Sequence, residues 1–190
     1  MGQITLITGP MFSGKSRELI KKANLMAEFS SGDIVFIRPN TDTRDFLTRD
    51  KIELDKRIPI IKAEEIPDIE LIKERYRNLR YVFVDEGQFF QNIYQLNQYA
   101  DNGIEVYVAA LMYTSEFKWF FPIIDFYPSC DNLVKLKARC SNCGSSEGVF
   151  TKCVKDKIGD ILIDDSAYVT LCRKCCGGVY HDRNKETFEF

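Results

Sequence analysis

The chain has 190 residues, with a formal net charge of -2 at neutral pH, 45% apolar residues and 28% charged residues. That length accommodates one substantial core and a small appendage, and the composition is ordinary for a globular protein. The near-neutral charge offers no global electrostatic reason to bind nucleic acid, and no apolar run approaches the length of a membrane span.

The opening "MGQITLITGP" lacks a basic region and a long apolar run, so no signal peptide is expected. Leu6 stands where a myristoylation signal requires Ser or Thr. Gln3 to Thr8 reads as a short, mostly buried strand. Glycines and serines interrupt it, and "KSRELIKKANLMAEF" follows, with Leu19, Ala23, Met26 and Ala27 at helical spacing. Gly32 is expected to stop that helix. Asp33 to Arg38 is a second, β-branched strand, which completes a βαβ unit. The polar stretch from Pro39 to Arg57 is long for a plain connection, and such loops tend to carry function. "IPIIKA" predicts a third strand, and "PDIELIKERYRN" a helix with Pro67 and Asp68 in its first turn. "RYVFVD" predicts a strand, "QNIYQLNQYADNG" a helix with Gly103 just past its end, and "IEVYVAAL" another strand. This alternation predicts a parallel α/β sheet with helices on both faces. After about residue 138 the helical period disappears and cysteines cluster. The expected organisation is a nucleotide-binding α/β domain over 1–138 and a small cysteine-containing lobe over 139–190.

"GPMFSGKS", Gly9 to Ser16, fits G-x-x-x-x-G-K-[ST] and lies between a predicted strand and a predicted helix. Glycines let backbone N–H groups wrap around phosphate oxygens, and the helix adds its positive end. The candidate ATP-binding residues are Gly9, Pro10, Met11, Phe12, Ser13, Gly14, Lys15 and Ser16. Lys15 is expected at the β- and γ-phosphates and Ser16 at Mg²⁺. Downstream, Asp85 ends an apolar strand, the place of a Mg²⁺-associated aspartate in such folds. Glu86 follows directly. It fits either the orientation of an attacking water or the acceptance of a proton from a substrate hydroxyl, and spacing alone does not separate the two.

Seven cysteines without a secretion signal point to a reducing, cytosolic setting and to a metal site over a disulfide framework. Cys140-x-x-Cys143 and Cys172-x-x-Cys175, separated by 28 residues, suit a closed tetrahedral zinc site of structural type. Cys176 competes with Cys175 for the fourth position, and the two-residue spacing favours Cys175. Cys130 and Cys153 read as ordinary thiols, and His181, the one histidine, as a tail residue.

"GPMFSGKS", "DTR" at Asp42 to Arg44, "DEGQFF" at Asp85 to Phe90, "AAL" at Ala109 to Leu111 and the paired C-x-x-C units occur in that order. Tyr168 stands four residues before the third cysteine of those units. Together, from about residue 3 to residue 176, they closely resemble the thymidine kinases of the cytosolic, poxvirus and bacterial type. The resemblance implies a P-loop (RecA-like) parallel sheet flanked by helices, with a small zinc-binding lobe. It also implies transfer of the ATP γ-phosphoryl to the 5′-hydroxyl of thymidine, deoxyuridine also being acceptable, and a homotetramer or homodimer without nucleic acid or membrane partners. By that resemblance Glu86 is the general base and Arg44 a charge-offsetting arginine near the phosphates, where a surface pair with Asp42 is the alternative. Met11, Phe89, Leu111, Phe120, Thr151 and Tyr168 would line the nucleoside pocket, beneath a lasso loop between the two cysteine pairs.

The chain departs from that pattern after "AAL". Met112 and Tyr113 replace an Asp-Gly pair, Ser115 replaces an aromatic residue that Phe117 or Tyr113 would have to supply, and Asp164 and Asp165 occupy glycine positions in the lasso. These changes bear on substrate choice, not on the phosphate chemistry. Two other readings remain: a zinc-ribbon P-loop ATPase acting on DNA or protein, in which Glu86 activates water, and a non-catalytic nucleotide-binding relative.

Overall fold

The computed structural model describes residues 1–41, 52–154 and 165–177. The elements in chain order are β1 (Ile4–Thr8), α1 (Lys15–Phe29), β2 (Asp33–Pro39), β3 (Ile60–Ala63), α2 (Ile69–Arg75), β4 (Leu79–Val84), α3 (Leu96–Asp101), β5 (Glu105–Ala110), α4 (Phe121–Phe126), β6 (Asn132–Lys135), β7 (Gly148–Cys153), β8 (Tyr168–Cys172) and α5 (Arg173–Cys176). The first six strands form one parallel sheet in the order β3-β2-β4-β5-β1-β6.

The inner strands are apolar at nearly every position because both of their faces are buried. Alternate side chains divide between two cores. Ile34, Phe36, Phe83 and Ala109 meet Leu19, Ile20 and Ala23 of α1. Val35, Ile37, Val82, Val84, Val106 and Val108 meet Ile69 and Ile72 of α2, Leu96 and Tyr99 of α3, and Ile123 and Phe126 of α4. The expected parallel α/β sheet with helices on both faces is therefore present.

Several boundaries move for local reasons. Helix α1 ends at Phe29, not at Gly32: Ser30 is extended, and its N–H closes the last turn on the Met26 carbonyl at 2.8 Å. Asp68 caps α2 from outside, its carboxylate accepting from the Glu70 N–H at 2.8 Å. The helix expected from Gln91 begins as a 3₁₀ turn over Ile93–Gln95, and only Leu96–Asp101 is α-helical. Gly103 follows it with φ +82°. Neither α4 nor β6 was anticipated. The four residues of β6 are all exposed, and their register is set by pairing with β1.

Strands β7 and β8 form a separate antiparallel hairpin, with Thr151 opposite Thr170. It joins the main sheet's chain through reciprocal backbone bonds between Ala138 and Gly148, at 2.8 and 2.9 Å. No helix among the described residues is long and apolar enough to cross a membrane.

Candidate active site

The loop from Gly9 to Gly14 joins the carboxyl end of β1 to the first turn of α1, where open α/β sheets present their ligand sites. Gly9 has φ +152°, and a Cβ there would fall 2.6 Å from the Leu136 carbonyl oxygen and 2.7 Å from Ser13 Oγ. Gly14, at φ +83°, caps α1 in the left-handed region without a side-chain bond. At Gly9 the loop is thus too narrow for a side chain. Ser13 Oγ is buried there with no hydrogen-bond partner among the described residues, which suits a ligand rich in acceptors. Lys15 Nζ donates to the carbonyls of Gly9 at 3.2 Å and Pro10 at 2.9 Å, which places its ammonium over the loop.

Ser16 Oγ donates to Asp85 Oδ1 at 2.8 Å, across 69 residues of sequence. Asp85 is 1% exposed at the end of β4, and its N–H is bonded to the Ile37 carbonyl at 3.0 Å. A hydroxyl and a carboxylate at the mouth of a phosphate loop are hard oxygen donors of the kind Mg²⁺ takes.

Glu86 has φ 51° and ψ 43°, a left-handed conformation uncommon for a residue with a side chain. Such strain costs about 1–3 kcal/mol and persists where surrounding contacts enforce it. A 3₁₀ turn over Gly87–Phe89 follows at once. Gln88 is 2% exposed; its amide donates to Glu86 Oε2 at 2.6 Å and accepts from the Leu111 N–H at 3.0 Å. The base candidate, the end of β4 and the end of β5 are therefore tied through one buried amide. Gln88 was missed in the sequence reading, although it sits inside "DEGQFF".

Phe89 and Phe120 meet edge to face with ring centroids 6.4 Å apart, and the Leu111 N–H is bonded to Gln88, the residue before Phe89. Met11 and Thr151 also meet, through the Met11 N–H and Thr151 Oγ1 at 2.9 Å. Tyr168 opens β8 opposite Cys153 and is half-buried. Arg44, Asp42, Asp164 and His181 lie outside the described residues. The departures after "AAL" have a packing role. The Tyr113 hydroxyl donates to the Val149 carbonyl at 2.6 Å, and Phe117, at φ 63°, is buried against Phe150 with ring centroids 5.7 Å apart. Both rings thus bind the segment after β5 to the cysteine hairpin.

Cys140, Cys143, Cys172 and Cys175 bring their sulfurs within 4.8 Å of one another, and the Cys143 and Cys172 sulfurs are 3.7 Å apart. Four thiolates held tetrahedrally at about 2.3 Å from zinc would be spaced by about 3.8 Å, so the four residues fit that metal. Backbone N–H bonds from Cys143 and Cys172 lower the Cys140 thiol to about 6, and Ser145 lowers Cys143. Asn142 lowers Cys175, while the neighbouring Cys143 and Cys172 sulfurs, burial and Cys140 together raise it, leaving it at about 12. Cys176 is buried with Phe117 and Phe150, outside the four.

A sequence model of the family described as "Thymidine kinase" matches residues 2–176. The chain is 30% identical to thymidine kinase 1 of Dictyostelium discoideum over 187 residues, covering 96% of this chain and 81% of that one. It is 33% identical to the thymidine kinase of Vaccinia virus (strain Ankara), covering 93% and 98%. With the thymidine kinase of Mesomycoplasma hyopneumoniae (strain 7448) it shares 31%, covering 92% and 95%. The phosphate cradle, the Asp85–Glu86 pair and the four-cysteine cluster are thus set in a chain that belongs to the thymidine kinase family.

Proposed function

We propose that the protein transfers the γ-phosphoryl group of ATP to the 5′-hydroxyl of thymidine, giving thymidine monophosphate and ADP, and that it accepts deoxyuridine as well. One observation carries this reading: Glu86 directly follows Asp85, the partner of Ser16 at the phosphate loop, and is held by Gln88, the neighbour of Phe89, whose ring meets Phe120. A base beside both a phosphate cradle and an aromatic wall suits a nucleoside hydroxyl as acceptor.

Residues Gly9 to Ser16 hold the triphosphate, with Lys15 at the β- and γ-phosphates. Ser16 and Asp85 hold Mg²⁺, which when bound neutralises phosphate charge. Glu86 takes the 5′-hydroxyl proton as that oxygen forms its bond to the γ-phosphorus and the bond to the β-bridging oxygen breaks. Catalysis is mainly positioning and charge stabilisation, so one placed base serves. Arg44 offsets developing charge. Met11, Phe89, Leu111, Phe120, Thr151 and Tyr168 enclose the nucleoside. Cys140, Cys143, Cys172 and Cys175 hold a structural zinc in a lobe over 139–190, attached to a catalytic domain over 1–138. The working protein is a cytoplasmic homotetramer or homodimer.

The test is transfer from γ-labelled ATP to thymidine, deoxyuridine, deoxycytidine or no nucleoside. Label in thymidine monophosphate supports the reading. Transfer to deoxycytidine alone, or phosphate release without a nucleoside, overturns it.

A further inference from the structure

The cysteine hairpin grips the phosphate loop. Thr151 and Thr170 stand opposite each other in the β7–β8 register and are 3% and 0% exposed. Both hydroxyls are directed to the main chain of one residue. Thr151 Oγ1 accepts from the Met11 N–H at 2.9 Å, and Thr170 Oγ1 donates to the Met11 carbonyl at 2.7 Å. Met11 lies inside the phosphate loop and precedes Phe12, whose φ of 63° turns the chain toward Gly14. The peptide groups on either side of Met11 are therefore held by residues about 140 and 159 positions away.

Thr170 is in turn held by the cysteine cluster. Its carbonyl accepts from the Ser141 N–H at 2.8 Å, and its N–H donates to Ser141 Oγ at 3.3 Å. Ser141 lies between Cys140 and Cys143, and Cys172 is two residues beyond Thr170. Lys15 also donates to loop carbonyls, at Gly9 and Pro10. Binding of the β- and γ-phosphates engages that lysine, whereas the Thr170 bond ends on a carbonyl, for which phosphate does not compete.

We infer that Thr151 and Thr170 form a two-hydroxyl anchor on Met11 that holds the phosphate loop in its ATP-binding shape, with Thr170 the positioning residue that links the loop to the four-cysteine cluster. This rests on the reading of Gly9 to Ser16 as the ATP site.

The experiment compares the parental enzyme with Thr170→Val, Thr170→Ala and Thr170→Ser. The readouts are the Kd of Mg·ATP by calorimetry, the KM values for ATP and thymidine, and hydrogen exchange at the Met11 amide. Removing one buried hydroxyl while leaving its carbonyl partner is expected to weaken ATP binding by about three- to tenfold. The thymidine KM should change less, and exchange at Met11 should accelerate. Thr170→Ser should restore ATP affinity to within about twofold, because it keeps the donor. Parental ATP affinity in a folded Thr170→Val or Thr170→Ala protein would overturn the inference, as would equal weakening by valine and serine. Should neither hydroxyl-free variant fold, exchange in the parental protein decides: a Met11 amide as unprotected as a free loop amide overturns the anchor. A parental enzyme that fails to bind ATP refutes the assigned ATP site instead, and the Met11 exchange reading stands apart from that result.

Discussion

The Gln88 side-chain amide lies 2.6 Å from Glu86 Oε2 and, through its other end, 3.0 Å from the Leu111 N–H. The backbone donor determines which end of the amide faces the carboxylate, since only the oxygen can accept from Leu111. Gln88→Leu keeps the bulk and removes both bonds. Misplacement of a catalytic group is expected to lower kcat by roughly 10- to 100-fold, with a smaller change in the KM for ATP. Steady-state kinetics on variants of unchanged circular dichroism check this.

Glu86→Gln removes the base and leaves the shape. ATP and thymidine should still bind within a few-fold of parental affinity, while turnover falls by about 10²- to 10⁴-fold. Calorimetry for binding and single-turnover kinetics for the transfer step separate the two effects. Parental turnover in this variant would remove Glu86 from the mechanism.

Gly9→Ala places a methyl group 2.6 Å from the Leu136 carbonyl oxygen, a backbone atom that cannot swing aside. The loop must shift, so ATP affinity is expected to fall by at least about tenfold, with a stability loss of roughly 1–3 kcal/mol. Thermal melts with and without Mg·ATP measure both, and the nucleotide-induced rise in Tm should shrink.

Metal analysis is expected to find one zinc per chain, lost in Cys172→Ser. That removal frees the two ends of the hairpin from each other. A loss of about 3 kcal/mol would lower Tm by roughly 6–12 °C, and ATP affinity should fall with it through the Thr170 connection. Cys176→Ser, outside the four sulfurs, should retain the metal.

Tyr113→Phe deletes the bond to the Val149 carbonyl but keeps the ring beside Phe117 and Trp119. Stability should drop by about 0.5–1.5 kcal/mol, and kcat should be nearly unchanged. Denaturant unfolding together with the transfer assay tests this packing role for the departure after "AAL".

Features written in local periodicity or local spacing were legible in the sequence. Helix α1 starts where its segment "KSRELIKKANLMAEF" starts because its apolar positions recur at helical spacing directly after a left-handed Gly14, although it stops at Phe29, short of Gly32. The inner strands stand out because burial on both faces makes them continuous apolar runs. The paired C-x-x-C units announced a four-cysteine cluster because two-residue spacing can present two sulfurs to one ion. Strand β6 left no such trace: its four residues are exposed, and only the vacant edge of β1 makes them a strand.

Three features of the site depended on the tertiary structure. Exclusion of Cys176 required Phe117 and Phe150 to bury it, the orientation of Glu86 required Gln88 to meet the end of β5, and the hold on Met11 required two threonines from a distant hairpin. The sequence alone marked the candidate groups for phosphate, proton and metal chemistry, because those groups come in short motifs. Their aim and anchorage were decided only in three dimensions, because a buried hydroxyl or amide takes whichever partner the fold brings within hydrogen-bond reach, however far away it lies along the chain.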